Sequence, residues 1–255
     1  MARVHPSTSW LERCIAEAGV VAVLLVWYVW ARDVPAYVLP PPQAVFARMG
    51  QLIVEPGFAM HVGVTLGRVI LAIVIAMIIG TTLALLPWFE PRTELIVNQR
   101  VLPFFSAFPA IGWVLLATVW FKVSPFTVVF IQVAILIPFC LINVAEGVRA
   151  LDDDMVEMGR SFSRRRTRVF WRVMLPMLVP YLMASLRIGY GVAWKIALVA
   201  ELFGAKSGLG YTMLQAQVYG DSELVLAACL MIVALFMLGD RLVIAPLSRR
   251  FETKH

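Results

Sequence analysis

The sequence predicts an all-α membrane protein with six transmembrane helices. Composition points there first: 61% of the 255 residues are hydrophobic and 15% charged, with a mean hydropathy of +0.84. That balance is too apolar for a soluble domain of this length. Several apolar runs are also long enough to cross about 30 Å of hydrocarbon. Finally, the charge is not spread evenly. The bases behind the formal charge of +6 sit in loops between the apolar runs, which is a pattern of membrane orientation and not of a nucleic-acid-binding face.

Taken in order, the first span covers about Ile15 to Ala31 and ends in Trp27, Tyr28 and Trp30, side chains suited to a membrane interface. Arg3 and Arg13 ahead of it imitate a signal peptide, but no small-x-small cleavage site follows Trp30, so the run reads as a retained helix. Pro40, Pro41 and Pro42 then stop any helix, and Gln43 onward is expected to start a short surface helix. The second span, about Val62 to Leu86, is rich in Ile, Ala and Gly and is expected to end at Pro87 and Pro91. The third and fourth cover about Leu95 to Phe121 and Phe126 to Ala145. Pro103, Pro109 and Pro138 are tolerable there only where neighbouring helices satisfy the freed carbonyls. The fifth runs from Leu178 to Phe203 and the sixth from about Leu224 to Leu247. With no repeat, linker or low-complexity tract, residues 1–255 read as a single transmembrane domain.

Six spans place both ends on one side. With the termini in the cytosol, Arg3, Arg13, Arg92, Arg100, Arg249, Arg250 and Lys254 lie inside, together with the arginines of the loop described next. Only Arg32, Arg48, Lys122 and Lys206 fall outside. The asymmetry selects cytosolic termini.

That loop, from Ala145 to Pro180, concentrates the charge. Arg149, Arg160, Arg164, Arg165, Arg166, Arg168 and Arg172 supply bases, and Asp152, Asp153, Asp154 and Glu157 supply acids. The aspartates precede Met155 as helix-capping residues would, and the arginines gather toward the far end, where cations suit the helix dipole. Met155, Met158 and Phe162 follow at i, i+3 and i+7, one apolar stripe on a charged short helix. Such a stripe needs a partner's groove to cover it, although a basic loop beside a span is also an ordinary topology signal.

Enzymatic signatures are missing. Gly204-Ala205-Lys206-Ser207 imitates a phosphate loop but lacks the G-x-x-x-x-G-K-[ST] pattern, and Gly208-Leu209-Gly210 reads as a turn. There is no H-E-x-x-H, G-x-S-x-G or paired-acid site, so the chain is read as no enzyme. Cys14, Cys140 and Cys229 have no C-x-x-C spacing and read as buried filler, and His5, His61 and His255 have no ligand spacing, so no metal is expected.

The fifth span carries Arg187, Lys195 and Glu201 in or near an apolar run. A charge at mid-membrane costs roughly 2.5–3.5 kcal/mol, and such residues usually face a bundle interior or a watery path. At about 100° per residue, Glu201 lies within about 40° of Arg187 and Lys195 about 80° from it, so one polar flank can hold all three. The alternative has Arg187 paired with a loop carboxylate and Lys195 snorkelling outward. Gly189 and Gly191 permit close helix approach.

Glu157-Met158-Gly159 and Leu175-Pro176 resemble the EAA motif of the coupling loop, here residues 146–177, in ABC-importer permeases. Met158 and Gly159 replace the two alanines, and Ser163 stands where the family has glycine. Leu186-Arg187, Gly191-Val192-Ala193-Trp194, Ala200-Glu201 and Ser207-Gly208-Leu209-Gly210-Tyr211 resemble the permeases of nitrate, sulfonate, taurine and bicarbonate importers, as does the stretch from Asn143 to Arg149. The resemblance extends from about Leu39 to the C-terminus. It implies a type I importer permease fold in the bacterial inner membrane, acting as a homodimer with a cytosolic ABC ATPase dimer and an extracytoplasmic solute-binding protein. No cofactor is implied on this chain, and ATP and Mg would be used by the ATPase. Met155, Glu157, Met158, Gly159, Phe162 and Ser163 would couple to that ATPase. Arg187, Trp194, Lys195 and Glu201 would line the path of a small solute, with an anion such as nitrate, taurine or another sulfonate expected first and a pyrimidine or vitamin precursor second. A self-sufficient secondary carrier or channel is the alternative class, but it has no need of an apolar-striped cytosolic helix.

Overall fold

Leu, Ile, Val, Ala and Met fill the long runs, and such runs satisfy their own backbone only as helices. The computed structural model describes residues 10–151, 153–162 and 165–252, with side chains described at all of these except 10–13, 16, 153, 160 and 249–252. Among them every regular element is helical: α1 (Trp10–Asp33), α2 (Pro42–Val54), α3 (Phe58–Phe89), α4 (Thr93–Ala107), α5 (Ala110–Phe121), α6 (Pro125–Arg149), α7 (Asp153–Phe162), α8 (Arg166–Gly204), α9 (Leu209–Val218) and α10 (Ser222–Ser248). Four of these, α3, α6, α8 and α10, are long and apolar enough to cross a membrane, and the pair α4 and α5 makes a fifth if taken as one broken span. The 24-residue α1 falls outside that set.

Prolines shape the helices differently from the expectation. Pro87 does not end α3, which continues to Phe89. Pro109 does break the third span: α4 stops at Ala107, α5 starts at Ala110, and the two axes meet at 85°. Elsewhere the helix absorbs the proline. The π-helical turns Val97–Val101, Phe170–Met174 and Asp240–Ile244 each end two residues before a proline, Pro103, Pro176 and Pro246 respectively. A proline ring collides with the carbonyl four residues earlier and cannot donate to it. Widening that turn by one residue moves the carbonyl aside, so α4, α8 and α10 continue.

Contacts divide the chain into two compact units, residues 1–58 with 213–231, and residues 59–212 with 232–255. In the first, the short helix expected after the prolines forms as α2, with Val45 and Leu52 buried. The Trp27 indole N–H donates to the Pro40 carbonyl at 3.1 Å, and Arg48 lies 3.8 Å from Asp221. Cys14 is exposed and Cys229 half-buried, its Sγ 3.4 Å from Met213 Sδ, so of the three cysteines only Cys140 is the buried filler expected.

In the second unit α6 runs antiparallel along α8. Gly204 lies against Thr127, Gly189 against Cys140 and Gly147 against Tyr181. A Cβ on Gly189 would sit 4.0 Å from Cys140 Sγ, so this glycine serves packing within the chain, whereas Gly191 faces open space. Val114, Ala117, Val128, Ile131 and Ala200 form the core where α5, α6 and α8 meet. Leu85, Val156, Phe170, Met174 and Leu178 form a second core under α7.

Candidate functional site

On α3, His61, Thr65 and Arg68 fall at i, i+4 and i+7, a polar row on an otherwise apolar helix. The row faces the end of α8 and the turn that follows. Arg68 Nη1 lies 2.8 Å from Glu201 Oε1, with side chains 8% and 0% exposed. The same nitrogen donates to the Ser207 carbonyl at 2.7 Å, and Nη2 donates to Ser207 Oγ at 3.1 Å. Thr65 Oγ1 lies 3.0 and 2.9 Å from the two Glu201 oxygens, can donate to one of them, and accepts from the Leu209 N–H at 2.9 Å. The Gly210 N–H donates to Glu201 Oε2 at 3.0 Å, and the Gly208 N–H to His61 Nδ1 at 2.9 Å.

The turn is built for this closeness. Gly208 has φ +111°, in the left-handed region, and a Cβ there would run into the Glu201 carboxylate. A Cβ on Gly210 would come within 2.7 Å of Glu201 Cβ and of the Leu198 carbonyl. Glu201 is therefore a buried charge with a guanidinium, a hydroxyl and a backbone amide around it, which is what makes such a charge tolerable. The arrangement fastens residues 205–210 to α3 and leaves the carboxylate no open side.

The expectation of one polar flank on α8 is corrected accordingly. Glu201 and Trp194, at 0% and 3% exposure, are enclosed within the chain, while Arg187 and Lys195 are exposed. Among the described residues neither base forms an ion pair. The reason is Arg68: a cation on α3 neutralises Glu201, so α8 need not gather its own charges on one face. Trp194 stands edge-on to Tyr190 at 6.1 Å, and its indole N–H has no acceptor among the described residues. Sequence reasoning missed Arg68, Thr65 and His61, although their spacing was a legible signal.

At the other end of α8 lies the short helix α7. Met155, Met158 and Phe162 are 47%, 50% and 84% exposed, and Glu157 is exposed beside them. A different face holds α7 to the chain: Val156 is buried in the core under it, and Gly159 is buried with it. A Cβ on Gly159 would come within 3.0 Å of Val173 Cγ2 and 3.2 Å of Val169 Cγ1. α7 is thus apolar on two sides, one covered by its own chain and one open. Asp152, expected to cap this helix, and Ser163, expected to follow it, lie outside the described residues. Arg166 donates to the Phe89 carbonyl at 3.0 Å, tying the start of α8 to the end of α3.

These features define a multi-span α-helical membrane protein whose buried charge is neutralised internally and whose loop helix is left partly uncovered. Residues 96–249 match the family model described as binding-protein-dependent transport system inner membrane component. The taurine transport system permease protein of Escherichia coli K12 is 28% identical over 246 residues, covering 93% of this chain and 88% of that protein. A putative aliphatic sulfonates transport permease of Bacillus subtilis 168 is 25% identical over 237 residues (92% and 84%). The bicarbonate transport system permease of Synechococcus elongatus is 26% identical over 238 residues (89% and 85%). The chain belongs to the binding-protein-dependent transport system inner membrane components. It is the permease subunit of a bacterial ABC importer, seated in the inner membrane.

Proposed function

We propose that two copies of this chain form the translocation path for a small anion, most closely of the sulfonate class. A cytosolic ATPase dimer supplies the energy and an extracytoplasmic binding protein delivers the solute. Each copy crosses the membrane six times with both termini in the cytosol, α1 and the broken pair α4 and α5 each serving as one crossing. The observation that carries the reading is the open stripe of Met155, Met158 and Phe162 on a helix otherwise anchored by Val156 and Gly159. An apolar stripe flanked by Glu157 and a run of arginines suits a groove on a charged soluble partner. Closure of the ATPases around α7 would press on the core beneath it and so on α3 and α8.

The anion preference is supported by Arg187 and Lys195, exposed bases on a membrane-spanning helix with no carboxylate beside them among the described residues. The substrates for which the relatives are named, taurine, aliphatic sulfonates and bicarbonate, agree with that sign. In proteoliposomes holding the assembled importer, uptake of a labelled sulfonate should require ATP on the ATPase side and binding protein on the other. Uptake by this chain alone, driven by an ion gradient, would instead make it a secondary carrier.

A further inference from the structure

The corner between α4 and α5 is not solid. With α6 it lines a half-open cavity of about 320 Å³, walled by the rings of Phe105, Phe108, Trp113 and Phe139 and by Ile135 and Ile142. That volume is at the lower end of the range of small-molecule sites, roughly 300–1,000 Å³. The few polar groups at its edge are chiefly donors. Ser106 lines it, and its hydroxyl makes no hydrogen bond among the described residues. Trp113 lines it too, is 6% exposed, and its indole N–H has no acceptor among the described residues. Ala110, also in the wall, opens α5, whose cap is Pro109 and provides no side-chain acceptor for the first-turn amides. Among the described residues no carboxylate lines the cavity.

Apolar walls with donors and no acid favour a ligand that is apolar in its body and anionic at its head. A half-helix start within a broken span adds positive potential at the same corner. The register of α6 against α8 adds a base nearby in depth: Gly189 meets Cys140, so Arg187 stands at about the level of Ile142. Nitrate or bicarbonate would gain nothing from four aromatic rings, whereas an organic sulfonate buries its carbon body against them.

We propose that the cavity at the α4–α5 corner is a binding site for an organic anion with a short apolar body. The acid group lies toward Ser106, Trp113 and the start of α5, and the body lies against Phe105, Phe108 and Phe139. The proposal rests on the anion-importer reading and gives its sulfonate-class solute a place to bind within this chain.

The test uses the importer assembled with its ATPase, purified without binding protein and titrated calorimetrically with butanesulfonate and, separately, nitrate. The wild type should bind one butanesulfonate per permease copy, and nitrate at a tenfold excess should not displace it. Ser106→Leu, at an exposed position, and Ile135→Trp fill the space and should abolish binding. Trp113→Phe keeps a ring and removes the N–H, and should weaken binding about tenfold, the scale of one hydrogen bond to a charged group. Unfolding temperatures of all variants report whether they fold, and Ser106→Leu decides the matter if Ile135→Trp does not. Wild-type affinity in Ser106→Leu and Trp113→Phe, or displacement by nitrate at equal concentration, would overturn the site. Uptake separates the two levels: an importer that moves no anion defeats the functional reading. One that moves butanesulfonate with an unchanged KM in Ser106→Leu leaves that reading standing and removes the cavity from it.

Discussion

The two ends of α8 solve opposite problems. At Glu201 a polar group is buried and everything around it is matched, with Arg68, Thr65 and Gly210 within hydrogen-bonding distance of the carboxylate. Near the other end, α7 has an apolar stripe that none of the described residues covers, Phe162 being 84% exposed. The first region is complete in one polypeptide and the second is not. The contrast teaches where to look for a partner. A charge in an apolar span draws attention in the sequence, but here it is a closed structural device. The methionine and phenylalanine of a loop helix are the unfinished surface.

Substitutions can break this comparison, and the largest effects belong to the closed end. Arg68→Leu leaves Glu201 buried without its cation and should lower stability by about 3–5 kcal/mol, read from thermal unfolding in detergent. Adding Glu201→Leu should restore much of that loss, because replacing both charges removes the uncompensated one. A double variant as unstable as the single one would show that the pair does not act as a unit. Gly208→Ala comes next. It forces a left-handed φ on alanine and drives its Cβ into the carboxylate, for an expected loss of about 1–3 kcal/mol, measured in the same way.

The open end should behave in reverse. Met158→Asp lies on an exposed face and should leave stability within about 0.5 kcal/mol of wild type, while binding-protein-stimulated ATP hydrolysis by the assembled importer falls to its basal rate. Retained stimulation would show that the stripe is not used. Gly159→Ala is the mildest change. Its Cβ meets Val173 at 3.0 Å, which opposes the roughly 0.5–1 kcal/mol that alanine gains over glycine in a helix. The net shift should stay below about 1 kcal/mol, and a larger loss would mean that α7 is held more rigidly to α8 than the contact implies.

Much of the fold was legible because it depends on composition and periodicity. The apolar runs became α1, α3, α6, α8 and α10, and Met155, Met158 and Phe162 fell on one open stripe as their spacing required. Local rules failed where tertiary context decided. Pro87 stayed inside a helix, three prolines were absorbed by π-helical turns, and Pro109 produced a corner of 85° where a continuous span was expected. The site was half legible. Glu201 and the glycine turn stood out, but its partner Arg68 is 133 positions away along the chain. Pairing across that separation is set by helix packing and not by spacing. Judging angles on α8 alone therefore grouped Glu201 with Arg187 and Lys195, which the structure keeps apart.

What covers the α7 stripe can be measured directly. In a chain without Cys14, Cys140 and Cys229, Met158→Cys supplies a single thiol whose rate of maleimide labelling can be compared between the isolated permease and the importer assembled with its ATPase. Labelling should be rapid in the isolated permease and at least about tenfold slower on assembly, with the protection lost again when the ATPase is stripped away. Equal rates in the two states would contradict this, because the stripe would then be open in the working complex.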